Sequence, residues 1–250
     1  MSLVKTEAIV LKTDNYRDKS KIVTLFSKSY GKLRCIAKGV RDVKSRWGGV
    51  LQPMAYLSII FYYKENKTLH LLSNAEYKEV FHSLYDNHDK VKLGYRIAEL
   101  VNGTTIEQHE NPDLFELLKF SLESLNNSSN NYVNVFFDFE MKLAKVLGFG
   151  IELSPTLPKK SIENNNENRY YSNTVRYNTT VKDAGISGYY GKLREGDLMI
   201  LETINSGNFK ETMKLNISRE SEEFLGRFFD DYFKKHVDNL SFLKTKKVFM

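Results

Sequence analysis

The residues of this chain with the clearest chemical signal are cations crowded between positions 12 and 46. This stretch of 35 residues holds eleven Lys and Arg and only three acids, and the aromatic Trp47 follows it directly. Cations that track phosphates, beside an aromatic side chain that stacks on bases, are what binding of single-stranded nucleic acid requires. The candidate nucleic-acid-binding residues are Arg17, Lys19, Lys32, Arg34, Lys38, Arg41, Lys44, Arg46 and Trp47.

The distribution of charge along the chain favours the same region. Residues 1–80 contain fifteen Lys and Arg against seven acids, a net charge of +8, whereas the whole chain of 250 residues carries +6. All of the positive excess lies in the first third, so we expect a polyanion to bind there. The alternative is an ordinary solvated surface, with Trp47 packed as a lid.

The rest of the sequence offers little for catalysis or metal binding. The stretch from Gly185 to Lys192 resembles a phosphate loop, but five residues separate its outer glycines instead of four, and Leu193 replaces the magnesium-binding Ser or Thr. The five His are scattered, and a single cysteine, Cys35, excludes an internal disulfide and a cysteine-ligated zinc. A phosphodiester-cleaving enzyme would need clustered acids beside the cations. We therefore predict a protein that is not an enzyme and needs no metal or cofactor.

Five short strands are predicted in the basic region. Runs rich in β-branched and aromatic residues, separated by turn residues, occur at 3–12, 21–26, 32–38, 51–63 and 68–75. Five strands of this length fit a small closed barrel, either an OB-fold or an SH3-like barrel. Alternate residues of a strand share one face. The third strand would therefore place Lys32, Arg34, Ile36 and Lys38 outward, and Leu33, Cys35 and Ala37 inward.

The apolar pattern becomes helical after Phe81. Helical spacing begins around Tyr95, a capping sequence at Asn111-Pro112-Asp113 starts another helix, and a stripe from 133 to 147 can end at Gly148. Residues 152–175 look irregular, and residues 176–215 are ambiguous, with short strands indicated around 198–203. Ser218 is the expected cap of a strong final helix.

These elements predict an α+β protein of two domains. Residues 1–80 form the barrel, and residues 81–250 form a mainly α-helical domain that includes the irregular segment 152–215. No apolar run approaches the length of about 18 residues that a membrane helix needs. The N-terminus lacks a secretory signal pattern. We therefore expect a cytoplasmic protein.

Several motifs, in order along the chain, resemble the RecO family. The matching segments are Glu7-Ala8-Ile9-Val10-Leu11, Val23-Thr24-Leu25-Phe26, Gly31-Lys32-Leu33-Arg34, Ala37-Lys38-Gly39-Val40-Arg41, Lys44-Ser45-Arg46 and Leu51-Gln52-Pro53. Others lie in the helical region, at Tyr95 to Leu100, Pro112 to Leu118, Phe139-Glu140, Leu147 to Gly150 and Leu243 to Lys247. The resemblance runs through most of the chain, with a gap at about 152–215.

The resemblance implies an N-terminal OB-fold, a helical C-terminal domain and a role in DNA repair and recombination. A protein of this family would bind single- and double-stranded DNA, anneal complementary strands and help load RecA onto coated strands in the bacterial nucleoid. Its partners would be RecR and the acidic tail of single-stranded-DNA-binding protein. Many members carry a four-cysteine zinc module after the segment that matches Leu147 to Leu153; this chain has no cysteine there.

Binding of an acidic protein tail requires cations beside apolar side chains. Lys90, Lys92 and Arg96, with Leu93 and Tyr95 as apolar neighbours, are the candidate partner-binding residues. The alternative function is that of a general OB-fold DNA- or RNA-binding protein without mediator activity.

Overall fold

The computed structural model describes residues 2–42, 45, 49–152, 176–177, 195–237 and 240. The described residues form two compact units. One holds the residues up to Tyr132 together with Leu240, and the other holds those from Val133 to Val237. The predicted division into residues 1–80 and 81–250 separates the barrel from the helical region and does not divide the chain by compactness. It stays a prediction.

The first five strands close into a barrel. They are β1 (Ser2–Tyr16), β2 (Ser20–Ser27), β3 (Gly31–Ala37), β4 (Tyr56–Tyr63) and β5 (Leu69–Glu79). Their order around the barrel is β1-β2-β3-β5-β4, and β1 pairs with both β2 and β4. Strands β3 and β5 run parallel, while the other neighbours are antiparallel. The OB-fold prediction is confirmed, in preference to the SH3-like barrel.

The fourth strand begins five residues later than the sequence pattern predicts. Met54, just before it, has a φ of +70°, which no extended strand residue adopts. Backbone hydrogen bonds join Met54 N to Val10 O at 2.8 Å and Val10 N to Ala55 O at 3.0 Å. Residues 51–55 therefore form a turn that lies against β1, and their apolar side chains belong to packing, not to a strand.

Alternation along each strand separates the barrel core from its outer surface. Leu33, Cys35 and Ala37 of β3 are buried, whereas Lys32, Arg34 and Ile36 are partly exposed and Lys38 is exposed. The predicted alternation of β3 is thus confirmed. The core also takes inward residues from every other strand, among them Ala8, Val10, Val23, Leu25, Leu57, Ile59, Phe61 and Leu72.

Three helices of the same unit follow the barrel. They are α1 (His82–Asp86), α2 (His88–Thr104) and α3 (Pro112–Asn127). The predicted start of α3 is confirmed, because Asn111 Oδ1 accepts a hydrogen bond from Leu114 N at 2.9 Å and Pro112 occupies the first turn. Helix α2 packs against β1. Lys28, the residue that follows β2, forms an ion pair of 2.8 Å with Glu116 of α3. These contacts explain why the outward pair Ile9 and Phe26 is fully buried.

The link between α2 and α3 completes the edge of β3. Gln108 N donates to Lys32 O at 2.9 Å, and Glu107 forms a parallel bridge with Lys32. The regular pairing of β3 with β5 begins only at Arg34 and Leu69. The link therefore supplies backbone partners where β5 has not yet reached β3, and it connects the barrel to α2 and α3 within one compact unit.

A buried histidine gives this barrel a predicted dependence on pH. His70 of β5 faces inward beside Cys35, is 3% exposed, and stacks on the Tyr63 ring at 5.2 Å. Burial lowers the pKa of His70 from its ordinary value of 6.5. The folded state therefore disfavours the charged imidazole, and stability is lost as pH falls below the pKa of the unfolded state. We expect the free energy of unfolding to decrease between about pH 7 and pH 5.

Urea denaturation over this pH range measures the effect. The substitution His70→Gln removes the titrating group, so the remaining slope of stability against pH should be smaller than in the parent. The comparison variant is His82→Gln, which makes the same chemical change at an exposed position of α1. An unchanged slope in the His70 variant would show that this ring does not resist protonation in the folded protein.

The second unit is helical. Its elements are α4 (Tyr132–Val146), β6 (Ile151–Glu152), β7 (Arg176–Tyr177), α5 (Glu195–Asn205), α6 (Phe209–Thr212) and α7 (Arg219–His236). The predicted cap of the final helix is confirmed, because Ser218 Oγ accepts from Ser221 N at 3.2 Å. The strands predicted around 198–203 are wrong. Asp197, Leu201 and Ile204 are buried at helical spacing on α5, which fixes the segment as a helix.

The segment 152–215 was predicted to be irregular. Most of it, residues 153–175 and 178–194, lies outside the described residues. Within the described parts of the chain, no helix is both long and apolar enough to cross a membrane. The same parts hold no group of three or more His, Cys, Asp or Glu side chains placed to bind a metal.

Candidate nucleic-acid interface

Two neighbouring loops bring several of the predicted cations together at one end of the barrel. The β1–β2 loop, residues 17–19, contacts the turn that follows β3. Arg41 N donates to Lys19 O at 3.2 Å, and Arg41 Nη1 donates to Arg17 O at 3.3 Å. We call the cations of these two loops the cationic rim; they are Arg17, Lys19, Lys38 and Arg41.

Backbone conformation holds the cationic rim in place. Arg17 has a φ of +51°, and Gly39, which begins the turn after β3, has a φ of +67°. Asp42 N donates to Gly39 O at 3.2 Å, which closes that turn. Asp42 also pairs with Lys19 at 2.9 Å, so part of the positive charge of Lys19 is balanced within the rim. Arg17, Lys38 and Arg41 are exposed as well, and within the described residues none of them forms an ion pair as short as that of Lys19, so these three are the better candidates for phosphate contacts.

Arg34 stands on the outer face of β3. Its side chain is 43% exposed, and its Nη1 lies 3.9 Å from Glu107 Oε1. An ion pair at this distance, exposed to water, is worth little and leaves the guanidinium available to a stronger anion. Arg34 therefore remains a candidate phosphate contact beside the cationic rim.

Lys32 has a different role from the one predicted. Its Nζ donates to Asn102 O at 2.8 Å and to Thr105 O, two carbonyls at the C-terminal end of α2. Burial lowers the pKa of Lys32 from its ordinary value. A cation at the C-terminus of a helix satisfies carbonyls that lack partners and stabilises the helix dipole. Lys32 thus joins the barrel to α2, and we withdraw it from the nucleic-acid contacts.

Three other predicted contacts cannot be placed. Lys44, Arg46 and Trp47 lie outside the described residues.

The predicted partner-binding cations do not form one cluster. Lys90 is 3% exposed, and its Nζ donates to Ser83 Oγ at 2.7 Å and to Asn126 O at 2.9 Å. It joins the ends of α1 and α3 inside the unit, so its assignment to a partner is wrong. Lys92 and Arg96, one helical turn apart, share a different side of α2 and are both partly exposed.

The alternation of β3 predicts that Ile36 points outward, but the sequence does not show which outward apolar residues lie beside it on the neighbouring strands. Ile22, Ile36, Leu71 and Tyr62 are paired in turn across β2, β3, β5 and β4, and all four are partly exposed. Lys64 and Lys67 were not among the predicted contacts, although both are exposed in the β4–β5 loop, residues 64–68. In OB-folds, this loop, the β1–β2 loop and the face of strands 2 and 3 bind oligonucleotides.

The comparison with known proteins covers both parts of the chain. Residues 1–81 match the family described as Recombination protein O N terminal, and residues 88–246 match the one described as Recombination protein O C terminal. The chain belongs to the RecO family. Both matches together explain why an OB-fold barrel and the helices that follow it occur in one chain.

Similar proteins carry the same family name. The chain is 36% identical over 162 residues to the DNA repair protein RecO of Salinibacter ruber, an alignment that covers 65% of this chain and 61% of that relative. It is 28% identical over an alignment of 257 positions to the DNA repair protein RecO of Chloroherpeton thalassium, which covers 98% and 97% of the two chains. The DNA repair protein RecO of a Thermoanaerobacter species is 26% identical over 239 residues.

The zinc module of many RecO-family members does not fit this chain. Such a module needs four cysteine thiolates, whereas the single cysteine, Cys35, lies in the barrel core. Burial raises the pKa of the Cys35 thiol to about 12. This side chain is therefore a small apolar core residue and not a metal ligand.

Proposed function

We propose that this protein binds single- and double-stranded DNA through its barrel and acts as a recombination mediator in DNA repair, without enzymatic activity. The observation that carries the proposal is the cationic rim, which gathers charges from two loops onto an OB-fold of the RecO family. Loop cations at the end of such a barrel can track the phosphates of a strand, whatever its sequence. The site of action would be the nucleoid in the bacterial cytoplasm.

A mediator must hold both DNA and the protein that coats it. The cationic rim supplies the hold on DNA. The second contact would be made with the acidic tail of single-stranded-DNA-binding protein, for which Lys92 and Arg96 remain candidates after the exclusion of Lys90. RecR would assist, and the result would be annealing of complementary strands and loading of RecA. Relatives named DNA repair protein RecO support this direction.

Annealing of coated strands tests the proposal. Complementary labelled strands are covered with single-stranded-DNA-binding protein and mixed with the full-length chain, and duplex formation is followed by energy transfer. We expect acceleration without ATP, because annealing needs only charge neutralisation and release of the coat. Removal of the acidic tail from the coat protein should abolish most of the acceleration on coated strands, while annealing of bare strands continues.

The alternative is a general OB-fold DNA- or RNA-binding protein. It predicts binding to bare strands without any effect on coated ones. If the full-length protein anneals neither bare nor coated strands, the mediator function is excluded and this alternative replaces it.

A further inference from the structure

The β4–β5 loop contains a tight turn. Asn66 has a φ of +63°, and Lys67 N donates to Lys64 O at 3.3 Å, which closes the turn. Asn tolerates the left-handed conformation better than most residues do, which suits it to such a position. The side chains of Lys64 and Lys67 are both exposed. Because the turn fixes the two lysines relative to each other, their place on the barrel depends on what holds the loop as a whole.

A side chain from outside the strands holds this loop. Gln108, in the link between α2 and α3, donates from Nε2 to Lys67 O, and the same atom lies 3.5 Å from Nε2 of His70, near the start of β5. A glutamine amide has two N–H groups, so it can serve both acceptors when the ring nitrogen is unprotonated. Lys67 is therefore bound on both sides, through its N–H to the loop and through its carbonyl to the link.

The backbone of Gln108 is anchored as well. Its N–H donates to Lys32 O at 2.9 Å, and Glu107 beside it forms a parallel bridge with Lys32. Lys32 Nζ in turn donates to Asn102 O and Thr105 O at the end of α2. A chain of hydrogen bonds thus runs from α2 through Lys32 and Gln108 to the β4–β5 loop.

The backbone conformation of Gln108 is unfavourable for a residue with a Cβ. Its φ of +58° lies in the left-handed region, which glycine adopts without this penalty. Positions that keep such a conformation are held in it by their surroundings, and they are common at functional sites. A glycine here would remove the penalty, but it would have no amide to offer to the loop. The side chain of Gln108 therefore has a use that offsets its backbone cost.

We propose that Gln108 is a positioning residue for DNA binding: its amide fixes the β4–β5 loop to the link, so that Lys64 and Lys67 meet phosphates from an ordered loop. A loop that is ordered before its ligand arrives loses less conformational entropy on binding. The helical part of the first unit thereby controls a loop of the barrel. This inference rests on the proposed function, because the two lysines need phosphates to bind.

A double-mutant cycle in the full chain tests the proposal. Gln108→Ala removes the amide but keeps the backbone N–H and the cost of the positive φ, because alanine also has a Cβ. We expect it to weaken binding of a labelled single strand about fivefold, since the loop must then be ordered on binding. Lys64→Ala with Lys67→Ala should weaken binding as well. All three changes together should bind no more weakly than the lysine variant, because without the lysines the position of the loop no longer matters.

A matched control removes another amide from the barrel. Asn74 of β5 donates from Nδ2 to Glu76 Oε1 at 2.9 Å, so its partner belongs to its own strand, and Asn74→Ala should change the affinity less than twofold. Parent-like affinity of Gln108→Ala would overturn the inference. Losses that multiply in the combined variant would overturn it too, because Gln108 would then act independently of the lysines. A parent that does not bind DNA would instead overturn the proposed function and the inference with it.

Hydrogen exchange measured by mass spectrometry follows the loop without DNA. In Gln108→Ala, the backbone amides of residues 64–68 should exchange about tenfold faster than in the parent, since local opening becomes easier. The amides of residues 17–19, in the β1–β2 loop, should exchange as in the parent. Unchanged exchange at residues 64–68 would show that Gln108 does not hold the loop. Equal acceleration throughout the barrel would show a general loss of stability, and either result would overturn the inference.

Discussion

We expect Gly31→Ala to lower the free energy of unfolding by about 2 to 5 kcal/mol. Gly31 begins β3 with a φ of +60°, a conformation that costs a residue with a Cβ roughly 1 to 2 kcal/mol. A Cβ on Gly31 would also lie 2.0 Å from His109 O, a backbone atom of the link between α2 and α3. The link would have to move away from β3, and overpacking of this kind typically costs about 1 to 3 kcal/mol more.

Urea denaturation of both variants and the parent measures the two costs separately. Gly39 has a similar φ of +67°, but the nearest atom to a Cβ there is Asp42 Oδ2 at 3.6 Å, an ordinary contact. Gly39→Ala should therefore show only the conformational cost, about 1 to 2 kcal/mol. Equal losses in the two variants would mean that the link does not press on Gly31 in solution.

The barrel was predictable because its signals are local. Each strand shows alternation within a few residues, and the turn residues lie between the strands, so their number and order follow from the chain itself. The start of α3 was predictable for the same reason, since Asn111 caps a backbone N–H only three residues away. The helix α5 was missed because the run Leu198–Leu201 is apolar throughout, and a short apolar run does not distinguish a strand from a helix.

The roles of individual cations were harder to predict, because their partners are distant in sequence. Lys32 shares the outward face of β3 with Arg34, yet the carbonyls that hold it come from residues 102 and 105. Lys90 has the same charge pattern as its neighbours on α2, but its carbonyl partner belongs to Asn126. A sequence shows which lysines are on one face of a strand or helix; it does not show which of them another element covers.

The arrangement of the outward apolar residues was hard to predict for a related reason. Leu3, Tyr62, Leu71, Ile36 and Ile22 lie next to one another only when the barrel closes. Closure requires a stagger between the strands. The paired row that starts at Leu3 of β1 returns to β1 at Asp14, eleven residues further along. The pattern within a single strand does not reveal this stagger. It therefore does not indicate that Ile22 and Tyr62 belong to one surface.

Charge reversal in the cationic rim should have the largest effect on DNA binding. We expect Arg17→Glu combined with Arg41→Glu to weaken binding to both single strands and duplexes by about a hundredfold at low salt, since hydrogen bonds to charged groups contribute roughly 1.5 to 3 kcal/mol each. The loss should be similar for all sequences, because phosphate contacts carry little sequence information. Fluorescence anisotropy with labelled DNA at several salt concentrations measures it.

The salt dependence distinguishes lost phosphate contacts from a general loss of structure. Each phosphate contact contributes about 0.7 to the slope of log affinity against log salt for single strands, so the loss of two contacts should make the slope shallower by about 1.4. A variant that is merely misfolded would lose affinity without this defined change. The conservative pair Arg17→Lys with Arg41→Lys keeps the charges and should keep most of the affinity and the parent slope, because a point charge suffices for a phosphate.

A second control separates the position of the charges from their number. Lys210 and Arg219 are exposed in the other unit of the chain, and their combined replacement by Glu changes the net charge by the same amount. If binding depends on a defined surface, this variant should bind DNA nearly as well as the parent, because its substitutions leave every charge of the cationic rim unchanged. Parent-like binding by the reversed rim would show that the phosphates bind elsewhere. An equal loss in both reversed pairs would show that DNA responds to the total charge of the protein, and the rim would then have no special role.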